Sequence, residues 1–374
     1  MRTSSIVSSA VIALTVVGAP AATVPGSNGK LAYFYGAEIF TVQSNGKELR
    51  SLGAGLSPAW SPNGRRLAFD ASRNRNYDVL TMRSDGRDRR RVTRDPAPDY
   101  FASWSPDGTE LVFTSERGAG EDLYVVRADG TGERRLTTDP APDWGAAWSP
   151  DGSQIAFAGN ARGNLEVEVV TPDGGNRVAL TNDPARDYDP AWSPDGRRIA
   201  FTSERDGNAN VYLMNSDGSD VLRLTDDPGG DYRPAWSPDG RLIAFESERD
   251  PAVLDRDIYV MNADGSGPHR LRAGNVNARD VDWQPTIDLA LGLRRAPQGS
   301  IAVVTNISPA AEREVRVTAI ASRRRIVVRI GNLPAGERRA VQVRTPQSAR
   351  IVATVSGWHA DANTRNNRAV LARP

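Results

Sequence analysis

The chain contains no cysteine among its 374 residues, which excludes disulfides, thiol nucleophiles and thiolate metal sites. Histidine is almost as scarce. His269 and His359 are the only imidazoles, so histidine catalysis or a histidine-based metal site has little raw material. Lysine is limited to Lys30 and Lys47, and every other basic residue is arginine. Long apolar runs are missing except near the start. There Arg2 supplies a charged beginning, Ile6 to Val17 is apolar with Ser and Thr interruptions, and Ala19-Pro20-Ala21 is a small-residue cleavage site, with Ala22 an alternative end. This reads as a signal peptide over residues 1–22. The run is short for a membrane span, and neither a lipidation cysteine nor a second apolar span follows. The mature chain is therefore expected to be soluble, without a transmembrane span, and secreted into an extracellular or periplasmic space.

What the chain does have is a repeat. Trp60, Trp104, Trp148, Trp192 and Trp236 follow one another at intervals of 44 residues, each opening a Trp-Ser-Pro-(Asp/Asn)-Gly motif. A degenerate copy, Trp283-Gln284-Pro285, comes 47 residues after the last. Each copy carries four strand signals, the pattern of a β-propeller blade. In the copy at Pro190, strand one is Pro190 to Trp192 and Ser193-Pro194-Asp195-Gly196 makes a turn, with Pro and Gly at their favoured positions. Strand two is Arg198 to Thr202, strand three Val211 to Met214 and strand four Leu222 to Thr225. Phe69, Phe113, Phe157, Phe201 and Phe245 recur on strand two, and Tyr124, Tyr212 and Tyr259 on strand three. Recurring aromatics at fixed strand positions are expected to fill the spaces between blades. The first unit, from Lys30 to Leu52, lacks a strand one, whereas Val281-Asp282-Trp283 is a strand one with nothing after it. Together they complete a sixth blade and close the ring. The three extra residues of the last interval are assigned to the loop from Arg249 to Asp257.

These submotifs, with Ile243-Ala244-Phe245, Ile258-Tyr259-Val260-Met261 and Leu224-Thr225 in the same order, resemble the TolB-like propeller family over about residues 29–285. The resemblance implies a six-bladed propeller over residues 23–285 acting as a binding platform. After it the period is lost. Ile287 to Leu291, Ile301 to Thr305, Glu314 to Ile320, Ile326 to Ile330, Ala340 to Val343 and Ile351 to Val355 are strand candidates separated by Gly, Pro and Asn. They suggest a C-terminal immunoglobulin-like β-sandwich over residues 286–374. Val304-Thr305-Asn306, Leu333 to Glu337 and Asp361 through Asn367 resemble CARDB-type modules of bacterial exported proteins, which implies a spacer or adhesion role. The overall fold class is thus all-β. Charge divides at the same boundary: residues 23–285 carry 31 basic and 41 acidic side chains, residues 286–374 carry 15 and 5. Arg323-Arg324-Arg325 and Arg338-Arg339 are the strongest basic runs. They fit solvated edges, pairing with the acidic propeller, or an anionic envelope polymer; without interleaved aromatics they do not indicate nucleic acid.

Chain direction alternates through a blade, so the loops after strands two and four share one face. On it, just before strand one, an Asp-aromatic pair recurs: Asp99-Tyr100, Asp143-Trp144, Asp187-Tyr188 and Asp231-Tyr232. Glu116-Arg117, Glu204-Arg205 and Glu248-Arg249 lie in the neighbouring loops. These fourteen residues form a candidate mouth for a protein segment, a basic side chain or a sugar. For any single Asp the plainer reading is a bond to its own loop or to a neighbouring Arg. Asp206 to Asn210 and Asp255 to Asp257 do not match a calcium loop. No cofactor, metal site or catalytic residue is expected. A Gly-x-Ser-x-Gly elbow is missing, and 89 residues cannot hold a hydrolase domain. The expectation is an exported, non-catalytic binding protein for an envelope or extracellular protein or glycan. The alternative is a glycan-active enzyme, a glycosidase or lyase, using two of the mouth aspartates.

Overall fold

A computed structural model describes residues 26–371, apart from 74–75, 119, 251–255, 272–276, 288, 297–298, 307–311, 322–323, 334–337, 344–350, 357–359 and 362–367. The signal peptide, Arg323 and most of the Asp361–Asn367 stretch lie outside the described residues. Among those described there is no helix, and so none long and apolar enough to cross a membrane.

Six sheets form the propeller. Five are contiguous in sequence, with inner strands Leu56–Trp60, Asp99–Trp104, Asp143–Trp148, Asp187–Trp192 and Asp231–Trp236; these are blades 2 to 6. Blade 1 is split. Its three outer strands, Ser27–Tyr35, Glu38–Gln43 and Arg50–Ala54, come from the start of the repeat region, and its inner strand, Arg279–Ile287, from the end. Leu31 pairs with Trp283 and Ala32 with Asp282 in antiparallel register, which is the expected closure. The inner strands contact one another in sequence around the ring, including the contact of Arg279–Ile287 with Leu56–Trp60.

The repeated aromatics fill the seams. Trp192, Phe201 and Tyr212 of blade 5 pack on Ala147, Ala156, Val167 and Val169 of blade 4. The same arrangement recurs at the seam between blades 6 and 1, where Trp283 and Tyr33 meet Ala235, Ala244, Ile258 and Val260. Small residues on one blade thus receive large rings from the next. Deleting one such ring from a packed seam costs about 3–5 kcal/mol.

The Ser-Pro-Asp-Gly turns satisfy themselves. In blade 3, Ser105 Oγ donates to Asp107 Oδ1 at 2.6 Å, Thr109 N donates to the same oxygen at 3.0 Å, and Gly108 N donates to Ser105 O at 2.8 Å. Gly196 has φ of +71°, and a Cβ there would stand 3.3 Å from Pro150 of the preceding blade, so this glycine serves both turn and seam.

Two details depart from the sequence reading. In blades 3 to 6 the inner strands begin three residues earlier than expected, at the Asp of the Asp-aromatic pair, and in blades 2 to 6 strand four is only two residues long, as in Leu222–Arg223. The insertion in blade 6 falls where expected: strand two ends at Ser247 and strand three begins at Asp257, against Ser203 and Asn210 in blade 5.

Beyond the ring, Leu289–Ala296, Gly299–Asn306 and Arg338–Val343 form one sheet, and Arg324–Leu333, Glu312–Ala321, Ile351–Ser356 and Arg368–Leu371 another. Leu291, Ala302 and Val304 from the first share a core with Val315, Val317, Ala353 and Val355 from the second. Ala360–Asp361 pairs in parallel with Thr286–Ile287, tying this module to the inner strand of blade 1. Of the basic runs, Arg325 and Arg338 are exposed, whereas Arg339 Nη1 donates to Ile330 O and Asn332 O, both at 3.2 Å.

Closure has a latch of its own. Position Trp−1 is Ala or Ser in blades 2 to 6, but Asp282 in the closing strand. Its buried carboxylate accepts hydrogen bonds from Trp60 N of blade 2 at 2.6 Å and from Trp283 N at 2.8 Å. Asp282→Ala leaves both amides without that acceptor. It is expected to lower unfolding free energy by roughly 1–3 kcal/mol in urea titrations with the native circular dichroism spectrum retained; an unchanged midpoint would rule the latch out.

Candidate functional site

The four mouth aspartates are not presented to solvent. Asp99, Asp143, Asp187 and Asp231 are each 0% exposed. In blade 3, Arg117 Nη2 donates to both carboxylate oxygens of Asp99 at 2.8 and 2.7 Å, and its Nε donates to Ser115 Oγ at 2.8 Å. Arg205 Nη2 donates to Asp187 Oδ2 at 2.9 Å and Arg249 Nη2 to Asp231 Oδ2 at 2.8 Å, with their Nε atoms on Ser203 Oγ and Ser247 Oγ, both at 2.8 Å. The three guanidiniums also stack between rings: Arg117 on Phe113 and Tyr124, Arg205 on Phe201 and Tyr212, Arg249 on Phe245 and Tyr259. Burial raises the pKa of Asp99, Asp187 and Asp231, and the arginine opposes it in each case.

Blade 4 reaches the same end from another direction. Ala161 stands where blades 3, 5 and 6 have the arginine, and Glu168 where they have the tyrosine. Arg177, entering from beside strand four, forks onto Asp143 at 2.8 and 2.9 Å, pairs with Glu168 and Asp139, and stacks on Phe157. Burial pushes the Asp143 carboxyl up to about 6. The expected role of these aspartates as surface recognition groups is corrected accordingly: they are the first residues of buried inner strands, and their carboxylates are held by their own blades.

The rest of the proposed mouth divides. Tyr100 and Tyr188 are nearly buried, their hydroxyls donating toward Glu116 and Glu121 (2.9 and 2.6 Å) and toward Glu204 (2.9 Å). Burial, with these carboxylates beside them, raises both phenols. Trp144 and Tyr232 are half-buried, and Glu116 and Glu248 exposed. Trp144 and Tyr188 approach to 5.9 Å between centroids. Arg256 lies 3.5 Å over the Tyr232 ring and donates to Glu248 at 2.9 Å.

Sequence reasoning missed what lies just inside. The residue three before the tryptophan of every inner strand, Trp−3, is a bulge with positive φ: Ser57 (46°), Phe101 (57°), Gly145 (69°), Asp189 (54°), Arg233 (51°) and Asp280 (50°). Register shifts accompany the bulges. Freed bulge amides are taken up by the preceding blade: Phe101 N donates to both oxygens of Asp70 at 3.1 Å, Arg233 N to Thr202 Oγ1 at 3.0 Å, and Asp280 N to Glu246 Oε1 at 2.8 Å. Neighbouring bulge side chains meet. Ser57 Oγ donates to Asp280 Oδ2 at 2.8 Å, and Arg233 Nη1 donates to Asp280 at 2.7 Å and Glu246 at 3.0 Å. Because the inner strands surround the ring axis, the bulges line its centre. The residue types differ in every blade except the Asp shared by blades 5 and 1, so repeat alignment gives them no common signature. Arg256 could have been suspected from the three-residue insertion that carries it.

Carboxylates outnumber guanidiniums in this lining: Asp70, Asp189, Glu246 and Asp280 against Arg233 and Arg256. Burial pushes Asp189 up to about 7 and Asp280 up to about 6, and raises Asp70 well above 3.8. Burial would raise Glu246 as well, but Arg233 and Arg256 outweigh it and hold this carboxyl low. Among the described residues no cluster of three or more His, Asp or Glu side chains is arranged to hold a metal.

Two predictions follow from this chemistry. Arg205→Met strands the buried Asp187 carboxylate and is expected to cost roughly 3–5 kcal/mol in denaturant titrations, with part recovered in the Asp187→Asn/Arg205→Met double variant; full additivity would refute the pairing. For Asp189 the folded pKa lies above the unfolded value near 3.8, so the folded state holds the proton more tightly. Its contribution is complete below about pH 4 and is lost as pH rises through about 7. Asp189→Asn is therefore expected to lose less stability than wild type between these limits, and parallel profiles would contradict the shift.

Comparison with known proteins fits this architecture. The family model of the PD40 TolB β-propeller domain matches residues 38–185 and 146–319. TolB from Acinetobacter baumannii superposes with a TM-score of 0.63 at 22% identity, over 70% of this chain and 68% of that one. A putative TolB from Agrobacterium tumefaciens gives 0.54 at 25%, over 65% and 88%. A chain of a nidogen/laminin complex gives 0.56 at 12%, over 68% and 98%, and shares the fold alone. No curated protein matches the sequence.

Proposed function

The chain belongs to the TolB β-propeller family, and we propose that it is an exported, non-catalytic binding protein whose channel mouth, on the face of the loops after strands two and four, receives a segment of a partner protein in the envelope or outside the cell. The observation that carries this reading is the contrast between the two faces. On one, the Ser-Pro-Asp-Gly and hairpin turns repeat and satisfy their own polar groups, as at Asp107, Asp151 and Asp195. On the other, Trp144 and Arg256 depart from the repeat and, with half-buried or exposed Glu204, Tyr232 and Glu248, flank the charged lining. Trp, Tyr and Arg are the residue types enriched where proteins bind proteins.

The glycan-active alternative draws on Asp99, Asp143, Asp187 and Asp231, and all four carboxylates are already engaged by arginines inside the blades. The two-sheet module supports the reading of an immunoglobulin-like spacer that holds the ring away from its attachment. Export rests on the sequence of residues 1–22.

Affinity capture from envelope and culture fractions tests the mouth. The bait is the chain from Thr23 onward, as wild type, as Trp144→Ala/Tyr232→Ala, and as Asp151→Ala/Asp195→Ala on the opposite face. A protein held by wild type and the opposite-face variant but lost by the mouth variant is the expected result. Retention by all three would move the binding surface elsewhere.

A further inference from the structure

We propose that the channel wall between blades 4 and 5 is a receptor for one organic cation, the guanidinium or ammonium of an arginine or lysine side chain on the partner segment. The inference rests on the reading that the mouth binds a protein and names the group that enters deepest.

Three observations converge there. The Asp189 carboxylate is 1% exposed, yet neither of its oxygens accepts a hydrogen bond from the described residues. Arg233 Nε forms an ion pair with it at 3.8 Å, too long for a hydrogen bond, while Arg233 Nη1 donates to Glu246 and Asp280. A buried carboxylate normally gathers two or more donors, so this one has acceptor capacity left for a ligand. Beside it there is room. Gly145 is the only glycine among the six bulge positions, and a Cβ built on it would meet nothing within 4 Å. The space that other blades fill with a bulge side chain is open next to Asp189.

The entrance suits a delocalised cation. Trp144 and Tyr188, the residues immediately before Gly145 and Asp189, pack their rings on each other at 5.9 Å and 48°. The Arg186 guanidinium already lies 5.5 Å over the Tyr188 ring, so this edge of the mouth accommodates a planar cation. Glu204 holds the Tyr188 hydroxyl at 2.9 Å and leaves that ring polarised toward the same charge. An entering guanidinium would also supply several donors in one plane, matching the two empty oxygens of Asp189. A bare metal ion fits less well: the described residues offer no cluster of three carboxylates, and two of the flanking groups are rings.

The test uses the full mature chain and a blocked Gly-Gly-Arg-Gly-Gly peptide, with its citrulline counterpart of the same shape but no charge. Binding is read from the indole signal of Trp144 in nuclear magnetic resonance titrations at constant ionic strength. The arginine peptide is expected to move this signal saturably, the citrulline peptide at least tenfold more weakly, and Asp189→Asn to remove the difference. Gly145→Asn, with a residue type that tolerates positive φ, fills the gap and is expected to abolish the response while leaving the fold intact. Equal responses to both peptides would overturn the proposal, as would unchanged binding by Asp189→Asn or a shift caused by calcium chloride and not by peptide. If a partner is captured at the mouth and Asp189→Asn holds it as well as wild type, the cation receptor fails while the binding platform stands. If nothing is captured at the mouth, the platform itself fails.

Discussion

Everything in the propeller depends on one pairing, that of the first strand, Ser27–Tyr35, with the last strand of the ring, Arg279–Ile287. Lys30 N and the Gln284 side chain meet at 3.2 Å across 254 positions of sequence. Closing a loop of that length costs about 5 kcal/mol in chain entropy by the logarithmic rule. No single hydrogen bond offsets this. What does is the seam that closure creates between blade 6 and blade 1, where Leu31, Tyr33, Val42 and Trp283 share a buried cluster with Ala235, Ala244, Ile258 and Val260. Asp282 and the Ser57–Asp280 bond then fix the register of the closing strand against blade 2. An open ring would expose two apolar blade faces, so closure and seam packing stand or fall together.

In blades 3 to 6 the loops are held by a buried ion pair, and its logic is that of a residue set rather than a residue. In blades 3, 5 and 6 an arginine after strand two bonds the aspartate that opens strand one and fills the space between Phe and Tyr. Blade 4 has lost both that arginine and that tyrosine, and Arg177 with Glu168 restores the arrangement from a different strand. Blade 2 has Gly55 in place of the aspartate, and its Arg89 donates to the carbonyls of Leu52 and Ala54 while lying 5.0 Å over Phe69. A guanidinium over the strand-two phenylalanine survives in all five contiguous blades, whichever route supplies it. Buried pairs of this kind add little net stability compared with apolar packing, but removing one partner is costly. That asymmetry keeps them together through changes in the repeat.

The fold was legible because repetition amplifies weak local signals. A single Trp-Ser-Pro-Asp-Gly says little, whereas five at one spacing, with strand-two Phe and strand-three Tyr in phase, leave few architectures. The split blade was readable from the missing strand one at Lys30 and the surplus strand one at Trp283. The candidate site was harder for the same reason. Asp99, Asp143, Asp187 and Asp231 repeat, and repetition marked them, but a residue kept in every blade is most often one that every blade needs for itself. Their Ser-Glu-Arg partners, 18 positions later at Arg117, Arg205 and Arg249, carried that information in the sequence. The early start of the inner strand was hidden by the bulge, which breaks alternation two residues after the aspartate and makes Tyr188 and Asp189 resemble a loop.

The positions that matter for recognition are those where the frame is constant and the side chain is free to vary. At Trp−3 the backbone is the same six times, with φ between 46° and 69°, while the side chain is Ser, Phe, Gly, Asp, Arg or Asp. Most of these are poor choices for a left-handed conformation, which favours Gly and Asn. Phe101 and Arg233 therefore accept strain that glycine would relieve, and a buried set of Asp189, Arg233, Glu246 and Asp280 accepts desolvation that apolar residues would avoid. Asp280 with Ser57, Arg233 and Glu246 serves closure, but Asp189 does not, and Gly145 shows that a blade keeps its bulge without any side chain there. The wall from Gly145 to Asp189 is thus the part of the lining whose composition is not required by the fold, and it lies next to Trp144, where the loop repeat is broken.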